Sequence, residues 1–285
     1  MTTIVIQTLI NGLILGSFYV LLAAGLSLIF SIMGIVNFAH GALLMLGAFC
    51  SYVFITKLGL NFFFSLLVSV GVMVILGFII QKIIFNPLKG NELNMMVISL
   101  GLAIVLENSA VIIWGPDDRV LPFFELGVLK ISNVFLPIDR LLILLSAIVL
   151  IVGLYILIQK TKIGLAVRAV AQDLDAATLQ GINSNTIFPF SFGIGCGLAA
   201  AAGTLVSPLF LVSPYMGTLP MVKAFVVIVL GGLGSIIGAV IGGIILGLME
   251  SLVATFFGAV FQNAISFLIL IVVLVLKPEG LFGEK

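Results

Sequence analysis

Eight long apolar runs dominate the chain of 285 residues. They cover residues 4–30, 39–56, 61–85, 95–114, 141–159, 187–213, 222–257 and 262–277. An α-helix rises about 1.5 Å per residue, so about 20 apolar residues cross the roughly 30 Å of hydrocarbon in a bilayer. The runs are continuously apolar, whereas the strands of a membrane barrel alternate between apolar and polar residues. The pattern therefore predicts an all-α, polytopic membrane protein.

The composition supports this prediction. Charged residues make up 8% of the chain and apolar residues 62%, against about 25% and about 45–50% in soluble globular proteins. So few charges cannot cover a surface that faces water, and a lipid bilayer is the expected surrounding. The formal net charge of +1 provides no basic surface for nucleic acid and no acidic tail. We therefore expect no nucleic-acid partner.

Two of the apolar regions are interrupted by glycine-containing stretches. The 222–257 run would measure about 50 Å as one helix, which is too long for one straight crossing, and it contains Gly-Gly-Leu-Gly-Ser at 231–235. A similar interruption occupies 34–41. We expect broken helices or half-helices there and about eight to ten spans, in a single transmembrane domain covering 1–285. The first segment lacks a basic region and is expected to stay in the membrane.

Motifs for catalysis, nucleotide binding and metal binding are missing from the sequence. No Gly-Lys dipeptide occurs, so there is no phosphate-binding loop of the type GxxxxGK[ST]. The single histidine and the two cysteines, Cys50 and Cys196, lack metal-site spacing. No nucleophilic triad can be named. We expect a conduit, not an enzyme, with no metal or cofactor bound by this chain.

Three polar stretches, 82–94, 115–140 and 160–185, separate the apolar runs. If the crossings alternate, the first and third stretches share one side, with five Lys and Arg residues between them. The other side has four, counting Lys57. Cytoplasmic loops carry an excess of Lys and Arg, but a margin of five to four does not decide the orientation.

The segment 164–181 is predicted to form one short amphipathic helix bounded by Gly164 and Gly181. Its apolar stripe, at helical spacing, consists of Val167, Val170, Ala171, Leu174 and Ala177. Arg168, Gln172 and Asp175 occupy the opposite face. Such a helix either rests on lipid headgroups or docks into a soluble partner subunit, and the pattern alone leaves both possibilities open.

Several motifs, in this order along the chain, are similar to those of branched-chain amino acid ABC-transporter permeases of the LivH type. They are NFAHG at 37–41, SLGL at 99–102 with Glu107-Asn108, WGPD at 114–117, the 160–183 stretch, GGLGS at 231–235 and KPEGLFG at 277–283. The resemblance covers essentially the whole chain. It is less specific for the substrate, because urea and short-chain amide permeases look much alike.

The resemblance implies a permease of an importer in the cytoplasmic (inner) membrane of a bacterium or archaeon. It implies that 160–185 is a cytoplasmic coupling loop seated on an ATP-binding cassette subunit, so that ATP is bound by partner subunits. The implied partners are a second related permease subunit, two ATPase subunits and a periplasmic or extracellular amino acid-binding protein. A sodium- or proton-coupled carrier is the alternative outside this class, but such a carrier needs no docking helix.

Two residues are candidates because helices restart after them. Asn37 and Ser235 can cap the helices that follow the two interruptions. Free N–H groups and the positive dipole end of such a helix suit a substrate carboxylate. The alternative is that both side chains only satisfy local backbone groups. Gly232 and Gly234 are expected to turn the chain beside a cavity at the middle of the membrane.

Two further candidates for the translocation pathway are ionisable. His40 is either a hydrogen-bonded structural residue or lines the pathway, since polar groups at membrane depth face interiors or cavities. Glu107 lies near the middle of its predicted span, where an unpaired charge costs at least about 2.5 kcal/mol. We expect Glu107 to face the bundle, to pair with another group, or to take up a proton.

Overall fold

The computed structural model describes residues 2–121, 127–131 and 134–283. These residues form eleven α-helices and one antiparallel β-hairpin. The helices are α1 (Thr2–Met33), α2 (His40–Leu58), α3 (Phe62–Ile80), α4 (Glu92–Trp114), α5 (Ile138–Lys160), α6 (Lys162–Gln172), α7 (Leu174–Leu179), α8 (Ser184–Val206), α9 (Thr218–Gly231), α10 (Ile236–Phe256) and α11 (Phe261–Leu276). The hairpin pairs β1 (Val128–Ile131) with β2 (Val134–Pro137). Residues 122–126, 132 and 133 of the predicted polar stretch lie outside the described residues.

Seven of these helices are long and apolar enough to cross a membrane, namely α1, α2, α3, α4, α5, α8 and α10. Helix α3 is extended by a π-helical turn, Gln81–Phe85, and a 3-10 turn, Asn86–Leu88. Helices α9 and α11 are also apolar but shorter, with 14 and 16 residues. The prediction of an all-α polytopic membrane protein with broken helices is confirmed.

The expected break within 222–257 is a turn that reverses the direction of the chain between α9 and α10. Gly232 and Gly234 have φ angles of 107° and 82°, a backbone conformation that residues with side chains rarely adopt. Helices α9 and α10 consequently run antiparallel. Gly231 and Gly238 pack backbone against backbone, because small residues let membrane helices approach closely.

Helix α1 lies at the centre of the bundle and fixes the direction of its neighbours. The Ser251 hydroxyl donates to the Thr8 carbonyl near one end of α1, and Gly234 lies beside Ser31 near the other end. Helix α10 is therefore antiparallel to α1. Helix α8 is also antiparallel to α1 and touches it where Gly25 meets Gly195.

Helices α1–α4 and α8–α11 form two units of opposite topology. In this correspondence α1 to α4 are equivalent to α8 to α11, in that order. The contact of α1 with α10 is equivalent to that of α8 with α3, and the contact of α2 with α8 to that of α9 with α1. The contact of α4 with α2 is equivalent to that of α11 with α9. Helices α5–α7 connect the units. Inverted repeats of this kind hold the substrate site of many transporters near the middle of the membrane, between the repeats. The contact between α2 and α9, which belong to different repeats, is therefore the expected position of a substrate site.

The end of the bundle where α1 stops also carries α6, α7 and the C-terminal tail, residues 277–283. The N–H groups of Leu281 and Phe282 donate to the carbonyls of Leu230 and Gly231, each at 2.9 Å. The tail thus places Lys277 at this end. Among the residues that the structure describes, this end then has six Lys and Arg residues and the other end has four.

Candidate functional site

Two helices begin inside the bundle, not at its ends. Residues 34–39 double back from the end of α1, and α2 starts at His40, whose Nε2 atom lies 3.1 Å from the Leu22 carbonyl oxygen. Leu22 precedes the last residue of α1, Met33, by eleven positions, or about 16 Å along the axis. Helix α2 therefore begins near the middle of the bundle, as the interruption at 34–41 predicts.

Helix α9 begins beside the same point. Gly41 and Gly217 are so close that a Cβ atom on either would overlap the carbonyl oxygen of the other. From this contact, which we call the α2/α9 crossing (residues 37–41 and 217–218), the two helices run to opposite ends of the bundle. The positive ends of two helix dipoles thus meet near the middle of the bundle. Such an arrangement favours the binding of an anionic group.

The α2/α9 crossing contains buried polar atoms without partners among the described residues. Asn37 and His40 are fully buried. The Asn37 Oδ1 atom accepts from the Ala39 N–H at 3.2 Å, but the Asn37 Nδ2 and His40 Nδ1 atoms have no described partner. A buried polar group left unpaired costs about 1–3 kcal/mol. The hydrogen-bonding capacity of these two atoms is therefore not used by the described residues.

A second polar cluster lies nearby and was not predicted. The Glu250 carboxylate is completely buried, and the Lys223 ammonium lies 2.9 Å from both of its oxygens. The Tyr19 hydroxyl donates to Oε2 at 2.7 Å and the Gln262 amide at 2.9 Å, while the Ser266 hydroxyl donates to Oε1. This Glu250 cluster joins α1, α9, α10 and α11.

The Glu250 cluster lies close to the α2/α9 crossing along α1. Tyr19 precedes Leu22, the partner of His40, by three positions, or about 4.5 Å. A sequence signal existed, because Lys223 and Glu250 are the only charges in the 222–257 run. The two charges form a pair only because the run folds back on itself, and a broken helix or half-helix predicted at 231–235 does not by itself specify that reversal.

Gly232, Gly234 and Ser235 lie away from the α2/α9 crossing, at the end of the bundle that carries the tail. The Ser235 hydroxyl caps α10 by accepting from the Gly238 N–H at 3.0 Å, so the predicted capping is confirmed. The backbone of Phe282 and Gly283 packs on Gly232. The expected position at the middle of the membrane, beside a cavity, is thus corrected, because the C-terminal tail covers the turn.

Glu107 lies half-buried on α4, and no described side chain pairs with it. Helix α4 packs mainly on α2, and its outer face exposes Ile104, Val105 and Ile112. The expected pairing of Glu107 with another group is therefore absent among the described residues. Its carboxyl group borders the outer surface of the subunit.

The predicted helix over 164–181 is two helices, α6 and α7. Asp173 separates them, because its backbone is extended and its carboxylate caps α7 by accepting from the Ala176 N–H at 2.9 Å. Gly164 packs on backbone carbonyls at the end of α5, and Gly181, with φ 85°, follows α7. The boundaries predicted from the two glycines are close, but the single helix is wrong.

The predicted apolar stripe does not form a free docking face. Val167, Val170 and Ala177 are buried against the rest of the chain, whereas Ala171 is exposed and Leu174 is 39% exposed. On the opposite face Asp175 is exposed, but Arg168 is partly buried. The large apolar side chains exposed on α6 and α7 are Ile163, Leu165, Leu174 and Leu179, the last 86% exposed.

Comparison with known proteins identifies a family and relatives that match nearly the whole chain. The family described as branched-chain amino acid transport system, permease component, matches residues 8–274. The chain is 34% identical to the high-affinity branched-chain amino acid transport system permease proteins BraD of Pseudomonas aeruginosa and LivH of Escherichia coli K12, over 98% of this chain and 96% of each relative.

A more distant relative is the probable branched-chain amino acid transport permease protein LivH of Methanocaldococcus jannaschii, 31% identical over 96% of this chain and 91% of the relative. No solved structure matches significantly. The family match and the identities extend over nearly the whole chain. The chain therefore belongs to the family of branched-chain amino acid transport system permease components.

Proposed function

We propose that this chain is a transmembrane permease subunit of an ABC importer for branched-chain amino acids. It forms part of the translocation pathway and has no enzymatic role of its own. The proposal rests on its family membership and, in the structure, on the α2/α9 crossing. Two helix starts inside a membrane bundle expose N–H groups where lipid cannot satisfy them, and such breaks occur where a cavity or a substrate compensates.

The α2/α9 crossing has the chemistry for a zwitterion. The Leu22 carbonyl can only accept, so the neutral ring of His40 carries its proton on Nε2 and its Nδ1 is an acceptor. The Asn37 Nδ2 atom is a donor. A substrate carboxylate would bind at Asn37 and the helix starts, and its ammonium would bind at His40.

We place the pathway on the α4 side of the subunit, next to the second related permease. The N–H of Phe38, inside the crossing, donates to the Ser99 hydroxyl on α4 at 3.1 Å, and the Phe38 side chain is partly exposed. Glu107 lies two turns further along α4. A carboxylate facing lipid at this depth would cost about 2.5 kcal/mol or more, so a pathway or protein partner is the favoured neighbour.

The 160–185 segment is proposed as the cytoplasmic coupling loop in the cytoplasmic membrane of a bacterium or archaeon. The margin of six to four Lys and Arg residues supports this orientation. One of the two ATPase subunits would then dock on Leu165, Leu174 and Leu179, and the amino acid-binding protein would dock at the opposite end. Val167 and Val170 are buried against the rest of the chain. Helix α6 is therefore held firmly and would transmit force from the ATPase to the membrane helices.

Docking is tested by Leu174→Asp and Leu179→Asp, with Leu58→Asp, an exposed leucine at the other end of the bundle, as the matched control. We expect the first two variants to lose co-purification of the ATPase subunits and leucine-stimulated ATP hydrolysis, because a charge opposes burial at the interface. The control should keep both. Full association in Leu174→Asp and Leu179→Asp would contradict the assigned docking face.

Transport is tested with the reconstituted complex in liposomes. ATP-driven uptake of leucine, with no uptake of urea or short-chain amides, is the expected result. Concentrative uptake by this chain alone under a sodium or proton gradient would contradict the proposal and favour a secondary carrier.

A further inference from the structure

A cavity of about 190 Å³ lies between α1, α5 and the end of α8, away from the α2/α9 crossing. Its walls are mostly apolar and include Leu21, Ile143 and Val206. An apolar cavity of about 150 Å³ already holds a molecule the size of benzene. This cavity is therefore large enough for several methylene groups.

The cavity is elongated along the helices. On α1 its lining extends from Asn11 to Leu21, ten positions or about 15 Å apart along the axis. On α5 it extends from Arg140, in the first turn, to the buried Ala147. It thus follows the direction of the lipid acyl chains, from the end of the bundle where α1 begins towards its interior.

A single cationic group stands at the outer end of the lining that the structure describes. The Arg140 Nη1 atom donates to the neutral Asn11 Oδ1 at 3.2 Å, and no carboxylate among the described residues pairs with the guanidinium. Guanidinium groups bind phosphate oxygens through two parallel hydrogen bonds. Arg140 thus has the donors for such a contact, and within the described part of the chain its charge has no carboxylate partner.

We infer that this cavity is a binding site for an anionic phospholipid, with one acyl chain between α1, α5 and α8 and the phosphate on Arg140. A free amino acid fits less well, because the described lining offers no carboxylate for its ammonium group. On the cytoplasmic side of membranes, basic pockets between helices bind anionic headgroups, and Arg140 with the apolar walls offers the same kind of contact at the opposite end.

The test uses the full chain, purified in mild detergent and mixed with equal amounts of phosphatidylglycerol and phosphatidylethanolamine, with bound lipids counted by native mass spectrometry. The wild type should retain phosphatidylglycerol preferentially. Arg140→Gln should lower that retention about fivefold, the effect of one cationic side chain near an anionic lipid. Arg140→Lys should keep most of it, and Lys57→Gln, at an exposed lysine at the same end of the bundle, should keep all of it.

A second variant tests the apolar part without touching the charge. Ala147→Leu narrows the cavity and should also reduce phosphatidylglycerol retention, although Arg140 remains. The inference is overturned if Arg140→Gln and Ala147→Leu both retain phosphatidylglycerol as the wild type does, or if Lys57→Gln loses as much as Arg140→Gln. It is also overturned if added leucine displaces the lipid from the wild type, which would make the cavity a substrate site.

Discussion

The Glu250 cluster makes a quantitative prediction about stability. Glu250→Gln keeps an acceptor for Tyr19 and Gln262 but leaves the Lys223 ammonium, only 13% exposed, without a counter-charge. Removing one partner of a buried ion pair costs about 3–5 kcal/mol. We expect a loss of this size in the free energy of unfolding, because neither lipid nor the apolar neighbours of Lys223 can solvate the charge.

The double variant Lys223→Met/Glu250→Gln removes both charges. Replacing a buried ion pair by neutral residues of similar size is often without cost, and the new amide still accepts hydrogen bonds. The double variant should therefore lie within about 1–2 kcal/mol of the wild type, the range expected for one imperfect buried hydrogen bond. It should be more stable than Glu250→Gln alone.

The measurement is unfolding of the purified chain by a denaturing detergent in mixed micelles, followed by far-ultraviolet circular dichroism. Lys57→Met, at an exposed lysine, controls for the loss of a positive charge and should change stability by no more than about 0.5 kcal/mol. Lys223→Met is measured alone as well. If the double variant loses as much stability as Glu250→Gln and Lys223→Met lose together, Lys223 and Glu250 are not coupled. The account of the Glu250 cluster would then be refuted.

Three further changes separate packing from transport. Gly41→Ala should lower the free energy of unfolding by about 1–3 kcal/mol through overpacking on Gly217. The control Gly71→Ala, at a glycine with open space around it, should raise the free energy of unfolding by up to about 1 kcal/mol. Equal effects of the two substitutions would count against the close contact of Gly41 with Gly217. Gly232→Leu should lower the thermal midpoint and loosen the C-terminal tail against proteolysis, and a fully stable variant would show that the tail does not seal the turn. Glu107→Gln should keep wild-type stability, since no described side chain pairs with it, but should reduce leucine uptake by the complex; unchanged uptake would remove Glu107 from the pathway.

The helical type and the approximate positions of the apolar segments could be predicted from the sequence because the bilayer imposes a simple condition. A membrane-spanning helix is a run of about 20 apolar residues whose backbone hydrogen bonds all lie within the run. Such a run can be recognised in the sequence without knowing which helices pack beside it. The interruptions at 34–41 and 231–235 could be recognised for the same reason, since glycine and polar residues stand out in an apolar run. The cap formed by Ser235 is local as well, because its partner is only three residues away.

The contacts between helices were decided by the tertiary structure. A soluble helix shows its buried face by the contrast between apolar and polar residues, but most faces of these helices are apolar whether they meet lipid or protein. The pairing of Lys223 with Glu250 and the meeting of Gly41 with Gly217 therefore could not be deduced from the pattern, and the apolar stripe that contains Val170 did not show that this residue packs against its own chain. Each depends on the direction of a helix relative to a distant one, and only the packed bundle fixes that direction, through close contacts between small residues and a few buried hydrogen bonds.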